Sequence, residues 1–403
     1  MKKDIVLVTN FWHFECEKSS SRYRSLAGIL TGHGFNLEVV TSDFYHRIKQ
    51  KRNFDDAFLK SFNYKVTLVN EPAYKKNVSL KRLIMHKVFA RNVHKYLKTR
   101  KKPDAVIVVI PSTYVAKAVV RYCNKNGVPV ILDIQDLWPE AFSMAFYVPI
   151  LSHMAFYPLK RAADYAYKNS DYITAVSETY IKRGMMCNKK DSRGSAIYLG
   201  ADYKFAEKTI DETAVEKPDD EFWVTYIGAL GHSYNIKLVI NAIAVLNERG
   251  LKNIVFNVFG NGILEEEFRR YSTEKNVNAK FFGHTEYGKM MAYLSHSDIA
   301  VNPIAGRSVA SIINKVCDYA AAGVPVVNDQ NSEEYRELLE QYQCGINCRN
   351  NDIAGFADAI GQLYCNREMT GRMRENALRL AAEKFDRDKT YPEFIKIIDS
   401  LGV

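Results

Sequence analysis

Residues 302–327 read NPIAGRSVASIINKVCDYAAAGVPVV. An apolar strand end gives way to a polar, Gly-containing loop, then a helix, a glycine stop and a second buried strand. Arg307, Ser311, Asn314 and Lys315 fall in the loop and the helix start, and Asp318 follows one turn on. The small residues Ala320 to Gly323 let that helix pack close to a parallel sheet. A helix N-terminus beside two cations makes a site for a diphosphate. A carboxylate one turn in suits the paired hydroxyls of a ribose. The stretch therefore suggests a nucleotide, and a nucleotide-sugar fits best.

Working outward, strand and helix patterns alternate along the whole chain. In the first half the expected strands are Ile5–Thr9, Leu37–Thr41, Val66–Val69, Ala105–Ile110, Val130–Asp133, Tyr172–Val176 and Ala196–Leu199. Several are continuous apolar runs, as expected when both faces of a sheet are covered. Helical patterns fall between them, at Arg22–Leu30, Leu80–Leu97, Val115–Asn126 and Leu159–Lys168, while 43–63 and 71–80 read as charged loops. The second series has strands at Phe222–Ile227, Ile254–Phe259, Lys280–Phe282, Ile299–Val301 and Val324–Val327. The expectation is α/β: two doubly wound domains facing each other, 1–200 and 221–385, with 201–220 as linker and 386–403 as a terminal helix returning to the first domain. Ligands of such sheets lie at the carboxyl ends of the strands, so the cleft between the domains is the expected site.

Bulk properties agree. A chain of 403 residues exceeds one ordinary core. No apolar run is long and clean enough to span a bilayer, and no signal peptide precedes the strand at Asp4–Thr9. The 7 cysteines are scattered with no Cys-x-x-Cys pair, which points to reduced thiols in the cytoplasm and against a metal centre. Residues 1–200 carry 33 Lys and Arg against 16 Asp and Glu, and 201–403 carry 23 against 30. The basic first half is either a solvated lysine-rich surface or an attraction to an anionic membrane face or polyanionic acceptor.

Further motifs sit at strand ends. Gly228 and Gly231, in YIGALG, let backbone N–H groups approach a phosphate; Gly260 and Gly262 repeat the arrangement after the next strand; His284 and Thr285 follow the third, where they can meet a base. Tight turns alone would also place glycines there. In DIQDLWPE, Asp136 and Glu140 are candidates to touch donor or acceptor hydroxyls, unless Asp136 caps a local turn and Trp138 fills an interface. In SSSRYR, Ser21 and Arg22, with Arg24, offer a cap and guanidinium groups to an acceptor phosphate or the donor diphosphate; a plain N-cap with solvent-facing arginines is the alternative. His13 in that loop is a candidate by position. Residues 144–160, MAFYVPILSHMAFYPLK, read either as a segment lying at a membrane surface or as a buried loop.

Taken in order, SSSRYRSLA, DIQDLWPE, YIGALG, VFGNG, FFGH and NKVCDYAAAGVPVV resemble glycosyltransferase family 4, most closely its branch of N-acetyl-L-fucosamine transferases of surface-polysaccharide synthesis. The resemblance covers nearly the whole chain. It implies the GT-B fold and sugar transfer from a nucleotide-sugar, with retention at the anomeric carbon and no bound metal or cofactor. It implies that Asp318 binds the donor ribose, that Asn314 and Lys315 line the diphosphate or sugar, that Gly228 and Gly231 lie under the phosphates, that Gly260 and Gly262 border the nucleotide, and that His284 and Thr285 meet the base.

Two departures stand out. The family's paired glutamates, eight apart, fall on Ala310 and Asp318, and its usual Arg and Lys after the first strand-end glycine fall on Ala229 and near Tyr234. Arg307 and Lys315 are the candidates to replace the missing cations and, with Asp136, the expected catalytic groups. The expected partners are a nucleotide-sugar, UDP-linked by preference, and a lipid-linked or saccharide acceptor of capsule, O-antigen or exopolysaccharide synthesis. The expected setting is the cytoplasm, at the inner face of the plasma membrane through 1–200. Rival readings are a nucleotide-sugar epimerase on the same fold and a silent scaffold. A nucleic-acid binder is disfavoured, because the second half is acidic and carries no recognition motif.

Overall fold

A computed structural model describes residues 2–17, 21–75, 79–140, 149–188, 190, 193–305 and 312–402. The chain divides into two compact units, one formed by Met1–Ile197 with Tyr391–Val403, the other by Tyr198–Thr390.

The first unit is built on a seven-stranded parallel sheet. Its strands are β1 (Asp4–Thr9), β2 (Asn36–Ser42), β5 (Lys65–Val69), β6 (Ala105–Ile110), β7 (Val130–Ile134), β8 (Tyr172–Ala175) and β9 (Arg193–Ala196), in the order β5-β2-β1-β6-β7-β8-β9. The short strands β3 (Phe44–Tyr45) and β4 (Gln50–Lys51) form a separate antiparallel ribbon. Every side chain of β6, AVIVVI, is buried, as an apolar run covered on both faces requires. Helices cross between strands, and local chemistry sets their ends. Ser177 caps Glu178–Met185 by accepting from Tyr180 N, and Gly127, left-handed at φ 60°, closes Thr113–Asn126. Tyr391, Phe394, Ile397 and Ile398 lie in the same apolar cluster as Ile5, Leu26 and Leu37.

The second unit has a six-stranded parallel sheet of β10 (Phe222–Ile227), β11 (Ile254–Phe259), β12 (Ala279–Gly283), β13 (Ile299–Asn302), β14 (Val326–Asn328) and β15 (Gly345–Asn347), ordered β12-β11-β10-β13-β14-β15. In each sheet the order reverses once, between β1 and β6 and between β10 and β13. At such a reversal the crossover helices diverge to opposite faces and leave a crevice at the carboxyl ends of the strands. The helix Asn314–Ala321 and its cap Ala322 pack the small residues Ala320, Ala321 and Ala322 into a cluster with Ile227, Val326, Ala377 and Leu380.

Three local differences from the sequence reading have physical causes. The stretch 201–220, expected as a linker, holds a helix at Tyr203–Glu212, whose Ala206 is buried and whose Phe205 stacks on Tyr287 at 5.9 Å. Its charged flanks hide a single buried stripe. The last strand of the first sheet is 193–196, not 196–199; its RGSA sequence is half exposed at a sheet edge and carries no apolar signal. Residues 43–63, expected as a loop, contribute the ribbon and a helix, with Phe54 and Phe58 packed on Phe14. Among the described residues no helix is long and apolar enough to cross a membrane.

Candidate functional site

The crevice of the second unit lies where β10 ends beside β13. Gly228 leaves β10 at φ 138° and its N–H donates to Phe259 O at 2.9 Å; Gly260 leaves β11 at φ 128° and donates to Gly283 O at 2.8 Å. A Cβ on Gly260 would lie 1.9 Å from Gly228 O, and one on Gly228 would lie 2.8 Å from Lys315 Nζ. The two turns interlock: the backbone approach and the positive φ require glycine at 260, and the positive φ favours it at 228. Gly262 is equally tight, its Cβ meeting Leu230 O at 2.1 Å, whereas Gly231 faces open space. Gly260→Ala is expected to destabilise the second unit by about 1–3 kcal/mol or more, the cost of strained backbone, whereas Gly231→Ala stays within about 0.5 kcal/mol. Urea unfolding of the two variants side by side checks this, and equal midpoints would refute the interlock.

Lys315 rises from the first turn of its helix into this turn. It is 7% exposed. Its Nζ lies over the ring of Tyr226 at 4.1 Å and that of Tyr234 at 3.9 Å. Among the described residues no group hydrogen-bonds or ion-pairs with Nζ. Burial holds this amine well below the ordinary lysine range. Asp318, on the same helix face one turn on, accepts from Tyr287 OH at 2.9 Å. Burial, opposed by that hydrogen bond and by Arg387, pushes its carboxyl up to about 6. Asn314 is exposed at the helix start, His284 is exposed after β12, and Thr285 donates to Gly283 O at 3.4 Å. Thus Gly228, Gly260 and Lys315 converge, with Asp318 beside them. Arg307 and Ala310 lie outside the described residues.

Beneath this crevice runs a support the sequence reading missed. Asn302, Asn328 and Asn347 are register partners at the ends of β13, β14 and β15. Asn302 Nδ2 donates to Asn328 Oδ1 (2.9 Å) and Gln330 Oε1 (2.9 Å), and Asn328 Nδ2 donates to Asn347 Oδ1 at 2.9 Å. Asp329 accepts from Asn351 N at 3.0 Å, and burial pushes its carboxyl up to about 7. Three neighbouring strands each ending in Asn was the available signal.

In the first unit the acceptor candidates are committed elsewhere. Arg22 is buried, with Nη2 3.6 Å from Asp133 Oδ1 and its guanidinium 5.2 Å from the Tyr391 ring. The Gln135 amide, turned with its oxygen inward, accepts from Arg22 Nε at 3.1 Å and Nη1 at 3.0 Å. Asp133 also accepts from Tyr23 OH and from Thr174 Oγ1, each at 2.9 Å. The expected solvent- or phosphate-facing Arg22 is therefore an internal ion pair. Ser21 is buried and its hydroxyl does not cap the helix. Glu140, expected to touch a hydroxyl, accepts from Arg183 Nε at 2.6 Å, and Arg183 also holds Asp164 at 2.8 Å. Asp136 stays at the carboxyl end of β7; it accepts from Trp138 Nε1 at 3.0 Å, and burial pushes its carboxyl up. His13 is part-buried, and desolvation brings it down to about 4. Residues 144–148 of the aromatic segment lie outside the described residues.

The crevice of the first unit instead gathers Asn10, His46, Glu71 and His86. Glu71 Oε2 is 3.2 Å from His46 Nε2 and accepts from Asn10 Nδ2 at 3.3 Å, while Oε1 is 3.5 Å from His86 Nδ1. The two imidazoles lie parallel, 6.0 Å apart, and Phe11 covers both. Burial alone would raise Glu71, but the His46 hydrogen bond and the two rings hold it below the usual carboxylate range. Burial brings His86 down to about 4. These residues lie far apart in the chain with no periodicity, so no sequence signal joins them. Among the described residues no cluster of His, Cys, Asp and Glu has the arrangement of a metal site.

Comparison with known proteins bears on this geometry. Over 99% of this chain and 100% of its own, HepE of Anabaena, crystallised with UDP, superposes with a TM-score of 0.70 at 14% identity. Sucrose-phosphate synthase from Thermosynechococcus elongatus covers 99% of both chains with a TM-score of 0.74 at 12% identity. The fold is GT-B. A third neighbour, an α,α-trehalose 6-phosphate synthase from Burkholderia multivorans, covers 100% of this chain and 97% of its own, with a TM-score of 0.69 at 11% identity. Residues 207–380, most of the second GT-B unit and under half of the chain, match the family model of glycosyl transferases group 1. No curated protein matches the chain by sequence.

Proposed function

We propose that this protein is a retaining glycosyltransferase that moves a sugar from a UDP-sugar to a lipid-linked or saccharide acceptor. The observation that carries the reading is the buried, unpaired Nζ of Lys315 held against Gly228 at the strand reversal. A buried basic group with no anion of its own, beside a helix start, is arranged to receive one. The match of 207–380 to glycosyl transferases group 1 supports the reading. So do the structures of HepE with UDP and with UDP-glucose. Likeness to WaaG, a glycosyltransferase involved in lipopolysaccharide biosynthesis, with a TM-score of 0.66 at 14% identity, fits a role in surface-polysaccharide synthesis at the cytoplasmic membrane face, in the manner of the fucosamine transferases.

In this reading Gly228 and Gly231 underlie the diphosphate, Gly260 and Gly262 border the nucleotide, His284 and Thr285 meet the base, and Asp318 accepts from the ribose hydroxyls. Asn314 meets the sugar or diphosphate. The bond between the anomeric carbon and the leaving diphosphate breaks as charge grows on the phosphate, where Lys315, Arg307 and the helix-end N–H groups stabilise it. The acceptor oxygen attacks on the same face and passes its proton to that phosphate. No protein carboxylate pair of the glycosidase kind is required, and no metal or cofactor enters.

The test is a thermal-shift panel of UDP, GDP, ADP and their sugars on the wild type and Asp318→Ala. Selective stabilisation by one nucleotide, lost in the variant, is expected. No stabilisation by any of them would leave a silent scaffold, and a changed free sugar without acceptor would indicate an epimerase.

Asp318 makes the reading pH-sensitive. Its ordinary value is 3.8 and the folded value is about 6, so the native state holds the proton more tightly than the unfolded one. Stability therefore falls as pH rises through this window, while the ionised form that ribose hydroxyls prefer appears only above it. UDP-glucose should stabilise the protein less at pH 5 than at pH 7.5, and Asp318→Asn should flatten that difference. An unchanged difference in the variant would assign it elsewhere.

A further inference from the structure

The two tyrosines around Lys315 hold a basic group where no negative charge meets it. From β10 comes Tyr226, whose hydroxyl is committed to Ala229 O at 2.8 Å. From the following loop comes Tyr234. From its own helix come Asp318, which faces Tyr287, and Tyr319, whose hydroxyl accepts from Ile227 N at 3.2 Å and donates to Val301 O at 3.0 Å. Among the described residues no carboxylate stands within ion-pair distance of Nζ. Taking an ammonium out of water without a partner costs more than two ring faces return, so the empty site favours the neutral amine. The downward shift that burial imposes on Lys315 agrees with this.

We propose that the donor diphosphate binds together with a proton, which converts Lys315 from an amine parked between Tyr226 and Tyr234 into the ammonium that pairs with the phosphates. The proposal rests on the donor reading above and deepens it. The proton comes from solvent and goes onto Nζ, and no other bond changes. Tyr226 and Tyr234 are positioning residues: they exclude water and anions while the site is empty and keep Nζ against Gly228. Because the complex holds a proton that the free protein lacks, affinity must fall as pH rises between the free and bound values of this amine, by up to tenfold per unit for one proton. Asp318 acts in the opposite sense and near pH 6, so the two effects separate above neutrality.

Titration calorimetry with UDP-glucose from pH 7 to 8.5, below the ionisation of the uracil N3–H and in buffers of different ionisation enthalpy, tests this. The diphosphate of UDP-glucose is esterified at both ends and does not itself titrate in this range. For the wild type the observed enthalpy should track the buffer and report uptake approaching one proton, while Kd rises by up to tenfold per pH unit. Lys315→Arg should bind with no uptake and a pH-independent Kd, because a guanidinium stays charged. Lys315→Met should bind at least tenfold more weakly, and Asp318→Asn should keep the uptake. A wild type that binds UDP-glucose with buffer-independent enthalpy and a flat Kd overturns the proposal and leaves the donor reading standing. A wild type that binds no UDP-glucose overturns both.

Discussion

Lys315→Ala is expected to lower kcat by about two to three orders of magnitude at saturating donor, the scale for removing one charge-stabilising donor from a developing anion. The fold should not suffer in proportion. The side chain makes no hydrogen bond among the described residues, and a buried amine without partners contributes little beyond packing between Tyr226 and Tyr234. Lys315→Met keeps that packing and removes the unpaired nitrogen, so its melting temperature should equal or exceed that of the wild type while its rate falls as far. Activity and stability moving in opposite directions is the signature of a group placed for a ligand. A near-wild-type rate for either variant would remove Lys315 from the chemistry.

Arg22→Ala should behave in the reverse way. Arg22 and Asp133 are buried together, and deleting one member of such a pair typically costs about 3–5 kcal/mol because the other is left uncompensated. Tyr23 and Thr174 would go on donating to Asp133, which places the loss toward the lower end. Denaturant unfolding should register this loss, while KM for the acceptor in the surviving folded fraction stays near the wild-type value. A stable variant with a greatly raised acceptor KM would return Arg22 to the acceptor site. An Arg22→Met, Asp133→Leu pair should recover part of the stability, since apolar groups of similar volume often replace a buried pair at little cost.

These two arginine and lysine residues show what a sequence does and does not carry. The strands were legible where both faces are covered: β6, β10 and β11 are apolar runs recovered from end to end. Lys315 stood out in the sequence as well, as a cation at the start of a helix of small residues that follows a strand, a pattern suited to a diphosphate. Its tyrosine cage was not, since Tyr226 ends a strand and Tyr234 lies in the next loop, and only the fold superposes their rings. Arg22 was misread because a guanidinium beside a helix start looks the same whether it meets solvent or an aspartate on a distant strand. The cluster of His46, Glu71 and His86 illustrates the same limit, three elements converging with no spacing rule to connect them. Short or polar-edged pieces such as β9 and β15 fall below the length at which periodicity speaks.

The return of Tyr391–Val403 into the first unit has a temporal consequence. Translation delivers Ile5, Leu26 and Leu37 early, but Phe394, Ile397 and Ile398, which share their apolar cluster, emerge only after every residue of the other unit has left the ribosome. At about 5–20 residues per second, the nascent first unit must wait many seconds with that cluster unsealed. The unit begun first is therefore the one completed last.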